Sequence, residues 1–319
     1  MAGSRGPMKK RHLGTSELEV SELGLGTWQT LSLSTAGSFS AIARRAFERG
    51  VNFFDTADSY FDGESETALG KILSELPRKE IVVATKVFHP VGKDLPDNGL
   101  RRGRIRKAVE HSLRRLGLET IDLYQCHRFD PQTPVADVAR TMNELIAEGK
   151  VRHWGTSRWS GAQLAEAFAF CRSASLRPPV SNQHVYNLLN RSFEKDASAE
   201  HPGLGVSLLA YSPLAQGVLT GKYSVAAEQG SRAADAGAAR RMWDLTPEKI
   251  AAVEKWRAIL RKKSLQPAAV ALAWCLRLPL TGSAVFGASR PEQLETNLSA
   301  AGIAWSDTFL EGLTDALPA

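Results

Sequence analysis

An α/β fold in which eight parallel strands close into a barrel is predicted by three features of this chain. Short apolar runs alternate with amphipathic stretches from residue 22 to residue 300. The runs are rich in Val, Ile and Leu, as strands buried on both faces are. A length of 319 residues accommodates eight strand–helix repeats in one unit. The expected organisation is a (β/α)8 TIM barrel over 8–319, with 1–7 as a disordered extension; an open doubly wound sheet is the structural alternative.

The elements follow in order. ELGLG (22–26) opens the barrel and leads to a helix at 38–49; NFFD (52–55) leads to one at 64–76. IVVAT (81–85) precedes a helix at 101–116, where Ile105, Val109, Leu113 and Leu116 recur at helical spacing. IDLYQC (121–126), VRHWG (151–155) and VSNQH (180–184) precede helices at 135–148, 160–172 and 191–200. VSLLA (206–210) and SAVFG (283–287) complete the strands, with helices at 267–277 and 291–300. Additional helices are expected at 247–262 and, at the C-terminus, 305–317. The long connection after the seventh strand (211–246) is Ala/Gly/Arg-rich beyond residue 224 and reads as a mobile loop over a ligand.

Composition narrows the function classes. The formal charge of +6 suits an anionic ligand. The densest basic segment (101–115) lies on a helix and lacks the interleaved aromatics that stack bases, so no nucleic-acid partner is expected. No apolar run reaches transmembrane length, and no apolar stretch follows the basic N-terminal residues as a secretory signal requires. Cys126, Cys171 and Cys275 form neither a disulfide framework nor a metal-ligand spacing. A cytoplasmic protein without metal or membrane partner is expected. Gln29 stands where the third glycine of G-x-G-x-x-G would follow Gly24 and Gly26, which argues against a Rossmann turn.

Four residues stand at or just beyond the ends of apolar runs: Asp55, Tyr60, Lys86 and His127. Residues at the carboxyl ends of barrel strands converge on one pocket. Reduction of a carbonyl by hydride leaves negative charge on oxygen, which needs a proton. A tyrosine, with a pKa of about 10, holds its proton at neutral pH but gives it up reluctantly. A lysine cation at ~4 Å and an effective dielectric of ~20 stabilises the phenolate by about 4 kcal/mol, lowering the pKa by as much as ~3 units before solvation and Asp55 reduce the effect. Tyr60 is therefore the expected general acid, Lys86 its tuner, Asp55 the carboxylate that orients Lys86, and His127 a donor to the carbonyl oxygen. Each has a structural alternative: a cap for Asp55, a half-buried aromatic for Tyr60, a solvated strand end for Lys86, a satisfied core histidine for His127. Their shared placement at one rim favours a site.

With these residues in place, the chain resembles the aldo-keto reductases, NADPH-dependent carbonyl reductases on an eight-stranded β/α barrel. The resemblance runs from Met8 to Leu317 through GVNFFDTADSY (50–60), VVATK (82–86), IDLYQCHRFD (121–130), GKVRHWGTSRWS (149–160), YSPLAQGVLTGKY (211–223) and GASRPEQLETN (287–297). Within the family it is most similar to the branch of bacterial general reductases and potassium-channel β-subunits. The resemblance implies a catalytic tetrad of Asp55, Tyr60, Lys86 and His127 and an NADP(H) cofactor. Thr27, Trp28 and Asp55 would adjoin the nicotinamide, Ser157, Arg158 and Asn182 or Gln183 its carboxamide, and Tyr211 would stack on its ring. Ser212, Pro213, Leu214, Gln216 and Lys222 would wrap the pyrophosphate, while Gly287, Ser289, Arg290, Gln293 and Asn297 would take the adenosine and its 2′-phosphate. In the family Glu often precedes the residue matching Asn297; here Thr296 does, and Glu295 is turned about 100 degrees around the helix.

The expected partner is a small-molecule carbonyl compound or alcohol, with Trp28, Tyr60, Phe61, Phe88, His127 and Phe129 (and beyond these Trp159 and Trp243) lining its pocket. The resemblance leaves a second function open: an NADPH-binding, redox-sensing regulatory subunit of the potassium-channel β type. Monomer, weak dimer and ring all remain compatible with the sequence.

Overall fold

The structure, a computed structural model, describes residues 8–28, 30, 36–196, 200–223 and 246–301, together with Phe309, Gly312, Leu313 and Leu317. The expected extension at 1–7, loop residues 224–245 and most of the C-terminal helix at 305–317 lie outside the described residues.

A hairpin that the sequence reading did not anticipate, β1 (Lys10–His12) and β2 (Glu19–Ser21), precedes the barrel. Three-residue strands are too short to display an alternation. The barrel strands are β3 (Leu23–Gly26), β4 (Phe53–Asp55), β5 (Val82–Val87), β6 (Ile121–Cys126), β7 (Val151–Ser157), β8 (Ser181–Val185), β9 (Ser207–Tyr211) and β10 (Thr281–Phe286). They pair in parallel in chain order, and β10 pairs with both β9 and β3, so the sheet closes and the open-sheet alternative falls. Helices α1 (Ala36–Glu48), α2 (Glu64–Leu73), α3 (Arg102–Leu116), α4 (Val135–Ala147) and α5 (Gly161–Ser173) follow β3 to β7 in turn. The helix expected at 191–200 is α6 (Ser192–Asp196) and the start of α7 (Glu200–Leu204), with 197–199 outside the described residues. α8 (Pro247–Lys262) and α9 (Pro267–Leu276) precede β10, and α10 (Pro291–Leu298) follows it.

Two apolar clusters hold this arrangement. The larger fills the layer between strands and helices. The smaller lies inside the barrel, where Leu13, Leu18 and Val20 from the hairpin region meet Phe53, Val82, Ala84, Leu123, Leu209 and Val285. Burying each large side chain of this plug contributes about 1.5–3 kcal/mol. The hairpin thereby seals the amino-terminal end of the barrel, and the carboxyl-terminal mouth remains for ligands. At the helix layer α2 approaches α3 so closely that a Cβ on Gly70 would stand 2.6 Å from the Leu116 carbonyl oxygen.

The loop from Asp55 to Tyr60 is pinned to neighbouring strands. The Thr56 amide donates to the Ala84 carbonyl at 2.9 Å and the Asp58 amide to that of Lys86 at 3.3 Å. Beneath the loop lies a buried charged cluster. Glu66 accepts from the Thr85 hydroxyl at 2.6 Å and from the Arg115 guanidinium at 2.7 Å. Asp58 beside it is fully buried, and among the described residues no side chain donates a hydrogen bond to its carboxyl oxygens. Burial pushes its pKa up to about 8, reinforced by Glu66 and opposed by Arg104 and Arg115. An unfolded Asp titrates near ~3.9, so folding takes up a proton between those values. The associated stability is present at acid pH and is lost as pH rises through about 8. Asp58→Asn, a neutral side chain of the same shape, removes this cost. The Tm difference, variant minus wild type, should grow by at least ~2–4 °C from mildly acidic to mildly alkaline pH. A difference that does not vary with pH contradicts a protonated Asp58.

Candidate active site

The barrel mouth opens on a cavity of about 1060 Å³, and the strand alternation decides which side chains reach it. Asp55 ends β4, Lys86 is the fifth residue of β5 and not its terminus, and both side chains are buried. The ammonium of Lys86 donates to Asp55 Oδ2 at 2.7 Å, to the Thr56 carbonyl at 2.7 Å and to the Tyr60 hydroxyl at 3.3 Å. An ammonium carries three protons, and all three are used. Asp55 Oδ1 accepts from the side-chain amides of Gln183 at 3.0 Å and Gln125 at 3.3 Å. Two amides and an ammonium thus hold the carboxylate in one orientation.

Tyr60 opens a short 3-10 turn (Tyr60–Gly63) in which Phe61 and Asp62 take left-handed backbone angles, φ 51° and 50°. Such angles are costly for residues with a Cβ and mark a conformation imposed by its surroundings. Because the phenol oxygen accepts from Lys86, its own proton is directed elsewhere, and the cavity is where the ring lies. Burial raises the Tyr60 pKa and the nearby Lys86 cation lowers it, with burial prevailing. The expected net lowering is therefore corrected: in this enclosure the lysine reduces a penalty and does not produce an acidic phenol. Burial pushes the Lys86 ammonium down as well, but Asp55 and Tyr60 together outweigh it and leave its pKa above the ordinary lysine value.

His127 lies just past β6 and lines the cavity, its ring edge-on to Tyr60 at 5.8 Å and to His89 at 4.9 Å between centroids. Burial, then Lys86 and its other cationic neighbours, holds its pKa well below the ordinary value. The imidazole is neutral and offers one donor and one acceptor. The four groups expected to converge do so: Asp55, Tyr60 and His127 line the cavity and Lys86 stands directly behind them.

The same cavity extends from these groups over β9 to α10. Of the residues expected to hold a cofactor, Trp28, Asp55, Ser157, Arg158, Gln183, Tyr211, Ser212, Pro213, Leu214, Gln216, Lys222, Gly287, Ser289, Arg290, Gln293 and Asn297 line it. Residues 212–217 follow β9 with Ser212, Ala215, Gln216 and Gly217 at positive φ. Chain reversals of this kind can shape a concavity for an anion; here the Ala215 and Gly217 amides donate to the Ser212 and Leu214 carbonyls at 2.9 and 2.8 Å and hold the turn itself. Arg290 is the N-cap residue of α10 and Pro291 its first residue, so an anion there meets the positive end of the helix dipole beside a guanidinium. Gln293 accepts from the Ser289 amide and hydroxyl at 2.9 and 3.1 Å, which holds this corner closed. The donor set fits a dinucleotide cofactor.

Several expected residues do not reach the cavity. Asn182 alternates with the inward-facing Gln183, and its amide is committed to the Trp159 carbonyl at 2.9 Å and the Thr156 hydroxyl at 3.0 Å. Of the pair left open by the sequence, Gln183 is the one available to a ligand, through its carbonyl oxygen. Thr27 is buried with its hydroxyl donated to Thr56 at 2.8 Å. Phe88 packs on His89 and Phe129 on Trp159, each at 5.2 Å between centroids, while Phe61 faces outward at 43% exposure; none of the three lines the cavity. Trp159 is buried, and Trp243 lies outside the described residues. Glu295 ion-pairs with Arg45 at 3.0 Å and with Arg49, away from the cavity, whereas Thr296 faces in. Sequence reasoning missed Ser59, His89, Pro90 and Arg128 in the lining. His89 and Pro90 follow β5 as His127 and Arg128 follow β6, so position after a strand was the signal available.

Among the described residues no helix is long and apolar enough to cross a membrane. In comparison with known proteins, the profile of the aldo/keto reductase family matches residues 22–317. A relative from Schizosaccharomyces pombe, provisionally named a voltage-gated potassium channel subunit beta, is 37% identical over 299 residues, covering 91% of this chain and 87% of its own. A buried lysine–aspartate–tyrosine arrangement at the mouth of a closed eight-stranded barrel, together with a family match over most of the chain, leads to one conclusion: this protein belongs to the aldo/keto reductase family.

Proposed function

We propose that the protein reduces aldehydes or ketones to alcohols with NADPH, in a reversible reaction that takes its proton from Tyr60. The observation that carries this reading is the saturation of the Lys86 ammonium by Asp55, Thr56 and the Tyr60 oxygen, which turns the phenolic proton toward the cavity. Aldo/keto reductases are oxidoreductases that generally use NAD(P)H; the bound dihydronicotinamide would supply hydride to the carbonyl carbon. Tyr60 donates the proton to the carbonyl oxygen as negative charge develops there, and Lys86 stabilises the phenolate left behind. Asp55 fixes Lys86, and neutral His127 donates a hydrogen bond to the same oxygen. Ser157 and the Gln183 carbonyl oxygen hold the carboxamide, Tyr211 supports the ring, the 212–217 turn and Lys222 hold the pyrophosphate, and Ser289 and Arg290 hold the 2′-phosphate. The guanidinium of Arg290 at the start of α10 supports NADPH over NADH, because the additional phosphate needs a cationic partner.

The relative named as a channel subunit supports a second reading, a regulatory subunit that binds NADPH and reports redox state. Three cysteines without disulfide partners suit a cytoplasmic setting for either. Steady-state oxidation of NADPH with a panel of aldehydes and ketones separates the two readings: turnover establishes the reductase, and tight cofactor binding without turnover establishes the regulator.

Tyr60→Phe should lower kcat by about 10²–10⁴-fold while changing cofactor affinity, read by fluorescence titration, by less than ~3-fold; wild-type turnover would end the proton-donor assignment. Arg290→Ala should reduce the kcat/KM preference for NADPH over NADH by about 10-fold or more. Because burial raises the Tyr60 pKa above its ordinary value, kcat/KM for reduction should stay level through neutral pH. It should fall only in strongly alkaline solution, where the phenol deprotonates. A descending limb centred near neutral pH would contradict a protonated Tyr60 as the acid.

A further inference from the structure

We infer that the substrate carries an anionic group, a carboxylate or its equivalent, and that Arg128 receives it. This rests on the reductase reading above and specifies its substrate class. Arg128 follows His127 at the end of β6, and Arg158 follows Ser157 at the end of β7; both line the cavity. Among the described residues neither forms an ion pair with a carboxylate. Arg158 lies over the Tyr211 ring, its guanidinium carbon 5.1 Å from the centroid. The two guanidiniums repel each other, and they add to the effect of burial, and for His127 of Lys86, in lowering the pKa values of His89 and His127. Two like charges crowded into a half-enclosed cavity without a counter-ion are unfavourable, and a bound anion relieves that cost.

The carboxylates of the lining do not relieve it. Asp55 is neutralised by Lys86 at 2.7 Å, and Glu292 lies in the first turn of α10. The cofactor phosphates are provided for elsewhere, at Lys222, the 212–217 turn and Arg290. In the closed ring β10, which leads to Arg290, stands four strands from β6, which leads to Arg128. Arg158, stacked on Tyr211, borders the cofactor side, whereas Arg128 adjoins His127 and the position of the carbonyl oxygen. Its planar fork of donors matches a carboxylate bidentately. Trp28 and Pro90 supply apolar wall on the same cavity, so a short body joining carbonyl and anion has a surface to lie on.

The test compares para-carboxybenzaldehyde with its neutral methyl ester, in wild type and in Arg128→Gln and Arg128→Glu. Binding of each aldehyde to protein saturated with NADP⁺ is measured by calorimetry, and kcat/KM with NADPH by absorbance. In wild type the carboxylate should bind about 10-fold or more tighter than the ester. Its advantage should shrink as ionic strength rises. Arg128→Gln should bring the ratio close to one and Arg128→Glu should invert it. Equal binding of acid and ester by wild type overturns the inference, as does a preference that survives Arg128→Gln. It is equally overturned if Arg128→Gln weakens NADPH binding about 10-fold while leaving the preference intact, since Arg128 would then serve the cofactor. Selective binding of the carboxylate without oxidation of NADPH by any aldehyde overturns the reductase reading and upholds the anion subsite.

Discussion

A single buried ammonium organises the barrel mouth. Lys86 has no exposed surface, and the cost of removing its charge from water is met by Asp55 at 2.7 Å and two further oxygens. A buried pair of this kind contributes little net stability against an apolar replacement, yet removing either partner strands the other charge. Its effect is therefore directional. It ties the end of β4 to β5, orients the carboxylate toward Gln125 and Gln183, and gives the Tyr60 oxygen a donor. The left-handed turn at Phe61 and Asp62 belongs to the same constraint, since the chain must reverse immediately after Tyr60 to bring the phenol over Lys86.

Around that core the polar groups divide into two layers. Residues on the cavity side offer donors to a ligand: His127, Arg128, Arg158, the 212–217 turn and Arg290. Residues behind the loop form the Asp58–Glu66–Arg104–Arg115 cluster, which supports the segment carrying Tyr60 without reaching the cavity. The cavity side is rich in cations, with Asp55 already neutralised, and this favours anions at more than one point along its length. The same low-dielectric enclosure that strengthens these contacts also raises the phenol pKa. Under the proposed reduction, proton transfer from Tyr60 would depend on charge developing on the substrate oxygen and not on a free phenol that is already acidic.

Much of this was legible in the chain. The strands at 121–126 and the helix at 247–262 agree with the structure residue for residue, because an apolar run and a run with turn signals at both ends each carry their own boundaries. Lys86 was placed at the end of its strand, but β5 continues to Val87 because pairing with β6 extends through Val87 and Cys126. The substrate-side phenylalanines were misplaced for a related reason. Phe88 and Phe129 follow strands as His89 and Arg128 do, but the loop backbone past each strand end turns their side chains onto the surrounding apolar layer. The hairpin before the barrel escaped notice because its strands are three residues long and its burial is created by the barrel it seals.

The sequence by itself determined the alternation of strands and helices, and with it the set of chain positions that reach a barrel mouth, because both depend on local periodicity and on residue type. It also carried the chemical identities of Asp55, Tyr60, Lys86 and His127. Tertiary structure alone decided how those groups act on one another. Whether burial or a nearby cation governs the phenol, whether Asn182 or Gln183 faces the cavity, and which arginines stand without a carboxylate among the described residues all follow from distances across the barrel. Those distances are set by strand register and packing between segments far apart in the chain, and no local pattern encodes them.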